Sequence, residues 1–197
     1  MKFNPNVHHR HSTRLREWDY SWPWWYYVTI CAYERRCIFG EVINDKMRLN
    51  DIGEIVREEW MKTPTIRPEI ELDDFVVMPN HVHGIIIIND TVGATGPVAR
   101  RGNYNKQERA TRRVAPTKRL VSGSLGAIIG QFKSKAAKRI NAMRGAPDET
   151  VWQRGYHDHI VRNEADLHRI RTYIEYNPLQ WSIDEENPKD KKSMPTC

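Results

Sequence analysis

Val76-Val77-Met78-Pro79-Asn80-His81-Val82-His83-Gly84-Ile85-Ile86-Ile87-Ile88 is the stretch whose reading decides the fold. It predicts an apolar strand, a short break at Pro79-Asn80, and a second strand ending in four consecutive isoleucines. A run of that kind suits a strand covered on both faces in the middle of a sheet. Residues two apart on a strand point to the same face. His81 and His83 therefore stand side by side while Val82 points the other way, with Gly84 expected to leave backbone room beside them. Paired imidazoles on one face suit two ligands of a single metal ion, the alternative being two surface histidines near a hairpin turn.

Outward from that pair, the chain has 197 residues, enough for one sizeable domain with additions. Charged residues make up 28% and the formal net charge is +6. Such a balance favours an anionic partner, most simply nucleic acid. Three cysteines, Cys31, Cys37 and Cys197, form neither a metal motif nor an even-numbered framework, which fits a reducing compartment. No apolar run approaches the ~20 residues of a membrane span, and no signal-peptide core opens the chain, so a cytoplasmic location is expected.

The N-terminal extension, residues 1–25, is polar and then aromatic, with Trp18, Tyr20, Trp22, Trp24 and Trp25. These rings either stack on unpaired bases or pack the back of the sheet, and packing is the commoner fate of Trp. Residues 26–33 form a first strand, rich in aromatic and β-branched side chains. A small hairpin follows within 37–49, turning at Asn44-Asp45. Asp51 and Glu54 then open a helix carried by Ile52, Ile55, Val56 and Trp60, with Pro64 marking its end. After the strands 70–77 and 81–88, residues 90–120 form a basic insert of low hydrophobicity, expected to be flexible when free. Ser124 to Arg144 is the clearest helix, with Gly145 as its stop. Residues 151–162 read as a last strand. Asn163 caps a final helix ended by Pro178, and residues 182–197 are expected to be a disordered tail.

The order of elements predicts an α+β fold: a ferredoxin-like β-α-β-β-α-β sheet, first and third strands central, followed by one more helix. The main domain spans 26–181. On the final helix, Leu167, Ile170 and Ile174 define the buried stripe. Tyr173 and Asn177 are an i, i+4 pair at its border, at about 100° per residue, while Tyr176 turns towards solvent. A tyrosine and an amide so placed would meet a metal held by His81 and His83.

Three motifs in this order resemble the HUH-type single-tyrosine transposases of the IS200-like class, closest to REP-associated tyrosine transposases. They are Met78-Pro79-Asn80-His81-Val82-His83-Gly84, then Val151-Trp152-Gln153-Arg154 with Asp158-His159-Ile160-Val161-Arg162, then Tyr173-Ile174-Glu175-Tyr176-Asn177-Pro178. The resemblance spans roughly residues 12 to 181. It implies a nuclease and strand transferase for single-stranded DNA, acting beside hairpins such as REP-like palindromes. His81 and His83 would bind Mg²⁺ or Mn²⁺, and Tyr173 would be the catalytic nucleophile, leaving a 5′-phosphotyrosine. Members often carry a glutamine one turn after that tyrosine as a third ligand, and this chain has Asn177 there. DNA phosphates would be held by Arg100, Arg101, Arg112 and Arg113 of the insert and by Lys133, Lys135, Lys138 and Arg139 of the basic helix. The working unit would be a monomer or a homodimer. His159 is a candidate base, with a structural hydrogen bond as its other role. Two other classes fit the same residues: a single-strand-binding module without catalysis, and a hydrolase in which the metal activates water.

Overall fold

The computed structural model describes Leu15 and residues 18–90, 122–184 and 186–188. Its four-stranded antiparallel sheet is ordered β4-β5-β1-β6, from β1 (Trp25–Cys31), β4 (Ile70–Val77), β5 (His81–Ile88) and β6 (His157–Ile160). A separate hairpin, β2 (Gly40–Ile43) and β3 (Lys46–Leu49), precedes α1 (Asp51–Met61). The one-turn α2 (Thr63–Ile66), the long α3 (Leu125–Arg144) and the C-terminal α4 (Glu164–Gln180) complete the set. This is the expected ferredoxin-like arrangement, with β1 and β5 in the middle and a further helix at the end.

Local chemistry sets the boundaries. Asn44 and Asp45 both take positive φ (49° and 61°), as a tight two-residue hairpin turn requires. Asn50, one residue before the expected start, caps α1: its Oδ1 accepts from the Ile52 and Gly53 amides at 3.0 Å. Such a cap is worth about 1 kcal/mol. Ser124 and Asn163 cap α3 and α4, and Gly145 stops α3 in the left-handed region.

Alternation divides the sheet into two faces. Tyr26, Val28, Ile30, Val82 and Ile86 join Val56, Trp60, Ile128, Ile129 and Phe132 in the main core, beneath α1 and α3. Ile85 faces the other way and packs with Leu167, Ile170 and Ile174 of α4. A one-residue bulge in β4 between Leu72 and Phe75 displaces Asp73, whose carboxylate takes Arg171 of α4 in a two-pronged ion pair.

Four expectations are corrected. Pro64 closes α1 but lies inside the one-turn α2 rather than ending helical structure. The last strand is short: residues 151–156 lie outside it, Trp152 making a single bridge to Ala32. Pro178 does not end α4, which runs to Gln180, because a proline in the last turn forfeits one bond where the ladder is about to finish anyway. The supposed tail opens instead with a 3-10 turn, Trp181–Ile183, and with Asn187 only 2% exposed. The aromatic N-terminal segment does pack: Trp18, Tyr20 and Trp24 lie against the main core, and Trp24 Nε1 donates to Val161 O at 2.7 Å. Of the basic insert 90–120, residues 91–120, with Arg100, Arg101, Arg112 and Arg113, lie outside the described residues.

Candidate active site

β5 emerges from the Pro79-Asn80 turn with His81 and His83 on the α4 face of the sheet. β1 runs beside it in a register that sets Thr29 opposite His83 and Cys31 opposite His81. The two imidazoles are 0% and 2% exposed and their rings lie 4.3 Å apart. Gly84 is not part of this pocket. It faces the opposite layer, where a Cβ would come within 2.4 Å of the Trp60 ring. The room it leaves is filled by a core indole.

α4 crosses above and brings Tyr173 and Asn177. The Tyr173 ring meets His83 edge-on with centroids 5.2 Å apart, and stands 6.4 Å from Tyr27. It remains 40% exposed, so it borders the buried histidines and still faces solvent. Tyr176 is 48% exposed on the outer side of the helix. Asn177 is 0% exposed, and its Nδ2 donates to Asp184 Oδ2 at 3.1 Å.

Asp184 had no part in the expected site. The 3-10 turn folds the chain back after α4, so that Asp184 joins the pair. One ligating atom each from His81, His83 and Asp184 lies within 4.8 Å of the others. The carboxylate is held by the Glu186 amide on Oδ1 (2.7 Å), and Glu186 in turn pairs with Arg35. Composition could not find this residue, since a charged, proline-containing stretch reads as solvent-exposed chain.

Three buried polar atoms in this pocket have no hydrogen-bond partner: His81 Nε2, His83 Nε2 and Asn177 Oδ1. Buried acceptors left unpaired are uncommon and costly. The opposite edges of both rings are anchored, His81 Nδ1 to Asn80 Oδ1 (2.8 Å) and His83 Nδ1 to the Tyr27 and Thr29 hydroxyls (2.7 and 2.9 Å). Anchoring one ring nitrogen while the other is bare is the arrangement of a metal-ligating histidine. Burial lowers the pKa of both imidazoles; on His83 the neighbouring His81 adds to this, and on His81 the Arg35 charge does. Asp184 and the Asn177 amide pull His81 the other way. The rings are thus neutral near pH 7, the state a cation requires. Two imidazole nitrogens, an amide oxygen and a carboxylate fit a divalent ion.

Other expected residues fall elsewhere. His159 Nε2 meets the Asp166 carboxylate at 2.8 Å, a contact that ties β6 to the first turn of α4. Of the basic set on α3, Lys133 is spent inside the fold, donating to the carbonyls of Gln153 (2.7 Å) and Gly155, and burial lowers its pKa to about 8. Arg139 pairs with Glu58 and Glu59 of α1 at 2.8 and 2.7 Å. Lys135 and Lys138 are exposed, but α3 covers the sheet face opposite to the histidines. No described helix is long and apolar enough to cross a membrane.

No protein-family model matches the chain. Among solved structures it is similar to a REP-associated tyrosine transposase bound to a REP hairpin, with a TM-score of 0.53 at 17% identity over 86% of this chain and 74% of that one. At that identity the likeness concerns the fold, which is therefore transposase-like. A protein of Haemophilus influenzae (strain ATCC 51907), described as uncharacterized, is 38% identical over 184 residues, 93% of this chain and 96% of its own length. The chain belongs to the same family as that Haemophilus influenzae protein.

Proposed function

We propose that the protein is a transposase of the single-tyrosine kind, cutting and rejoining single-stranded DNA through Tyr173. The observation that carries this is the edge-on contact of a solvent-reaching tyrosine with one of two buried imidazoles whose Nε2 atoms are both bare. Tyr173 Oη attacks the scissile phosphorus. A phosphorus–oxygen bond forms to the tyrosine, the bond to the 3′ oxygen breaks, and the proton lost by the phenol is balanced by the one that the 3′-hydroxyl gains. The product is a 5′-phosphotyrosine that a later 3′-hydroxyl can reverse.

His81, His83, Asn177 and Asp184 would hold a divalent ion, Mg²⁺ or Mn²⁺. When bound, that ion supplies charge neutralisation at the scissile phosphate. A phenol with an ordinary pKa near ~10 needs such help at neutral pH. The buried stripe of α4 fixes the height of Tyr173 over the sheet. Tyr27 stacks on His83 and keeps that ring in place beneath it. The substrate proposed is single-stranded DNA beside a hairpin. Its support is the fold shared with a protein described as bound to a REP hairpin, together with the net charge of +6.

The test is a denaturing gel of end-labelled hairpin-flanked single strand with protein and Mn²⁺. A covalent protein–DNA band is expected, absent in Tyr173→Phe and kept in Tyr176→Phe. Cleavage that survives Tyr173→Phe would point to activated water instead, and salt-sensitive binding with no product to a binding module.

A further inference from the structure

We propose that Asn80, the residue just before the first histidine, is a positioning residue with two duties: it fixes which nitrogen of His81 is bare, and it clasps the C-terminal segment that delivers Asp184. The metal-binding part rests on the function proposed above; both duties themselves are read in metal-free protein.

Asn80 is 0% exposed. Its side-chain amide meets three polar groups, and they settle its orientation. Nδ2 lies 3.0 Å from Arg35 O and 2.8 Å from Glu186 O, both backbone carbonyls that only accept. Turning the amide over would set an oxygen against two oxygens. Oδ1 must therefore be the atom facing His81 Nδ1 at 2.8 Å. An amide oxygen only accepts, so Nδ1 carries the proton. In a neutral imidazole Nε2 is then the lone pair, and Nε2 is the atom buried without a partner. Two backbone carbonyls thus orient one amide, and that amide leaves Nε2 as the bare nitrogen of His81.

Those carbonyls are not arbitrary. Arg35 ends the 3-10 turn after β1, and Glu186 lies two residues beyond Asp184. Asn80 therefore joins β5 to both, and Arg35 and Glu186 also pair through their side chains. The same amide that orients His81 thereby holds down the segment whose Asp184 faces it. Loss of the amide costs the tautomer and the carboxylate together. His83 lacks such a lock, because its Nδ1 meets two hydroxyls, either of which donates or accepts.

The experiment compares wild type, Asn80→Ala and Asn80→Asp without metal, by ¹⁵N–¹H correlation of the histidine rings and by amide exchange at Glu186 and Asn187. It then adds Mn²⁺ alone in a calorimetric titration. Wild-type His81 should be the Nδ1–H tautomer. Asn80→Ala should show mixed tautomers, faster exchange at both amides, and Mn²⁺ affinity lower by about ten- to a hundred-fold, the usual cost of losing a partner behind a ligand. Asn80→Asp separates the duties: a carboxylate oxygen still accepts from Nδ1, so the tautomer stays, while its other oxygen faces two carbonyls and exchange rises. Should Asn80→Ala fail to fold, Asn80→Asp decides. A wild-type His81 protonated on Nε2, or unchanged exchange in Asn80→Asp, would overturn the proposal. Wild type that takes up no Mn²⁺ removes the metal reading of the site, and the tautomer and exchange still decide the role of Asn80.

Discussion

Strand β5 has two sides, and they are built by different rules. On one, Val82, Gly84 and Ile86 press against α1 and α3, and the strand gives up even a Cβ so that the Trp60 ring can lie against it. On the other, Ile85 is packed by α4, but His81 and His83 end in bare nitrogens beside Asp184. The packed side has unpaired atoms of its own, Trp60 Nε1 on α1 and Asn141 Oδ1 on α3. Beside the histidines, three such atoms belong to one pocket. Packing on the back of β5 holds the strand, and the front is left free to carry costly polar groups.

The largest effect is expected when the front chemistry is removed and the back is left intact. His81→Ala with His83→Ala should abolish the covalent adduct, a loss of at least about a thousand-fold given what metal and electrostatic stabilisation supply. The melting temperature should fall by only a few degrees, since the unpaired Nε2 atoms leave with the rings and partly offset the lost bonds to Asn80, Tyr27 and Thr29. A melting point lower by ten degrees or more would show that the pair is a structural element instead. Asp184→Ala asks less of the site. It should lower Mn²⁺ affinity at least ten-fold, on the order of the loss of a tuned site contact, measured by calorimetry. Unchanged affinity would remove Asp184 from the ligand set.

The reverse experiment is Gly84→Ala. The new methyl meets the Trp60 ring, and overpacking of this kind costs about 1–3 kcal/mol. Denaturant unfolding should report that loss, while adduct formation per folded molecule stays near wild type. If activity fell in proportion to nothing but the mutation, with stability unchanged, the two sides of β5 would not be separable.

A pH titration gives a smaller effect. Burial lowers the pKa of both histidines, so the unfolded chain takes up protons first as pH falls through its ordinary value near ~6.5. Their contribution is fully present above that pH and is lost as pH falls towards the folded values. In the metal-free protein the wild type should therefore lose stability between about pH 6.5 and 5 faster than the double His→Ala variant. Taking the difference removes other groups, such as Asp166. Burial raises its pKa, but the bonds from His159, the Arg162 amide and Arg169 outweigh that and hold it down to about 2. The smallest effect is expected from Lys135→Ala with Lys138→Ala. Both lie on the layer behind the sheet, and a gel-shift assay should show less than about a three-fold change beyond the general loss of charge. A larger one would mean that DNA wraps round to the packed side.

Much of this was legible in the chain itself. Period two along residues 76–88 put both histidines on one face and Val82 on the other, because strand alternation is a property of the backbone and needs no partner. Period 3.6 along α4 separated Tyr173 and Asn177 from Tyr176 for the same reason. The hairpin turn, the N-caps and the Gly145 stop are also local and lie within a residue of their expected places, whereas Pro64 and Pro178 do not end helical structure. What only the tertiary structure decided depends on segments far apart in sequence. Gly84 serves Trp60, 24 positions earlier by their numbers, and not the histidines beside it. Lys133 and Arg139 belong to a basic helix face by spacing, but carbonyls and carboxylates from elsewhere claim them. Asp184 enters because α4 runs through Pro178 and then turns back over the sheet. Charge and proline marked that stretch as a tail, and no local periodicity shows that a burial site awaits it on a strand a hundred residues away.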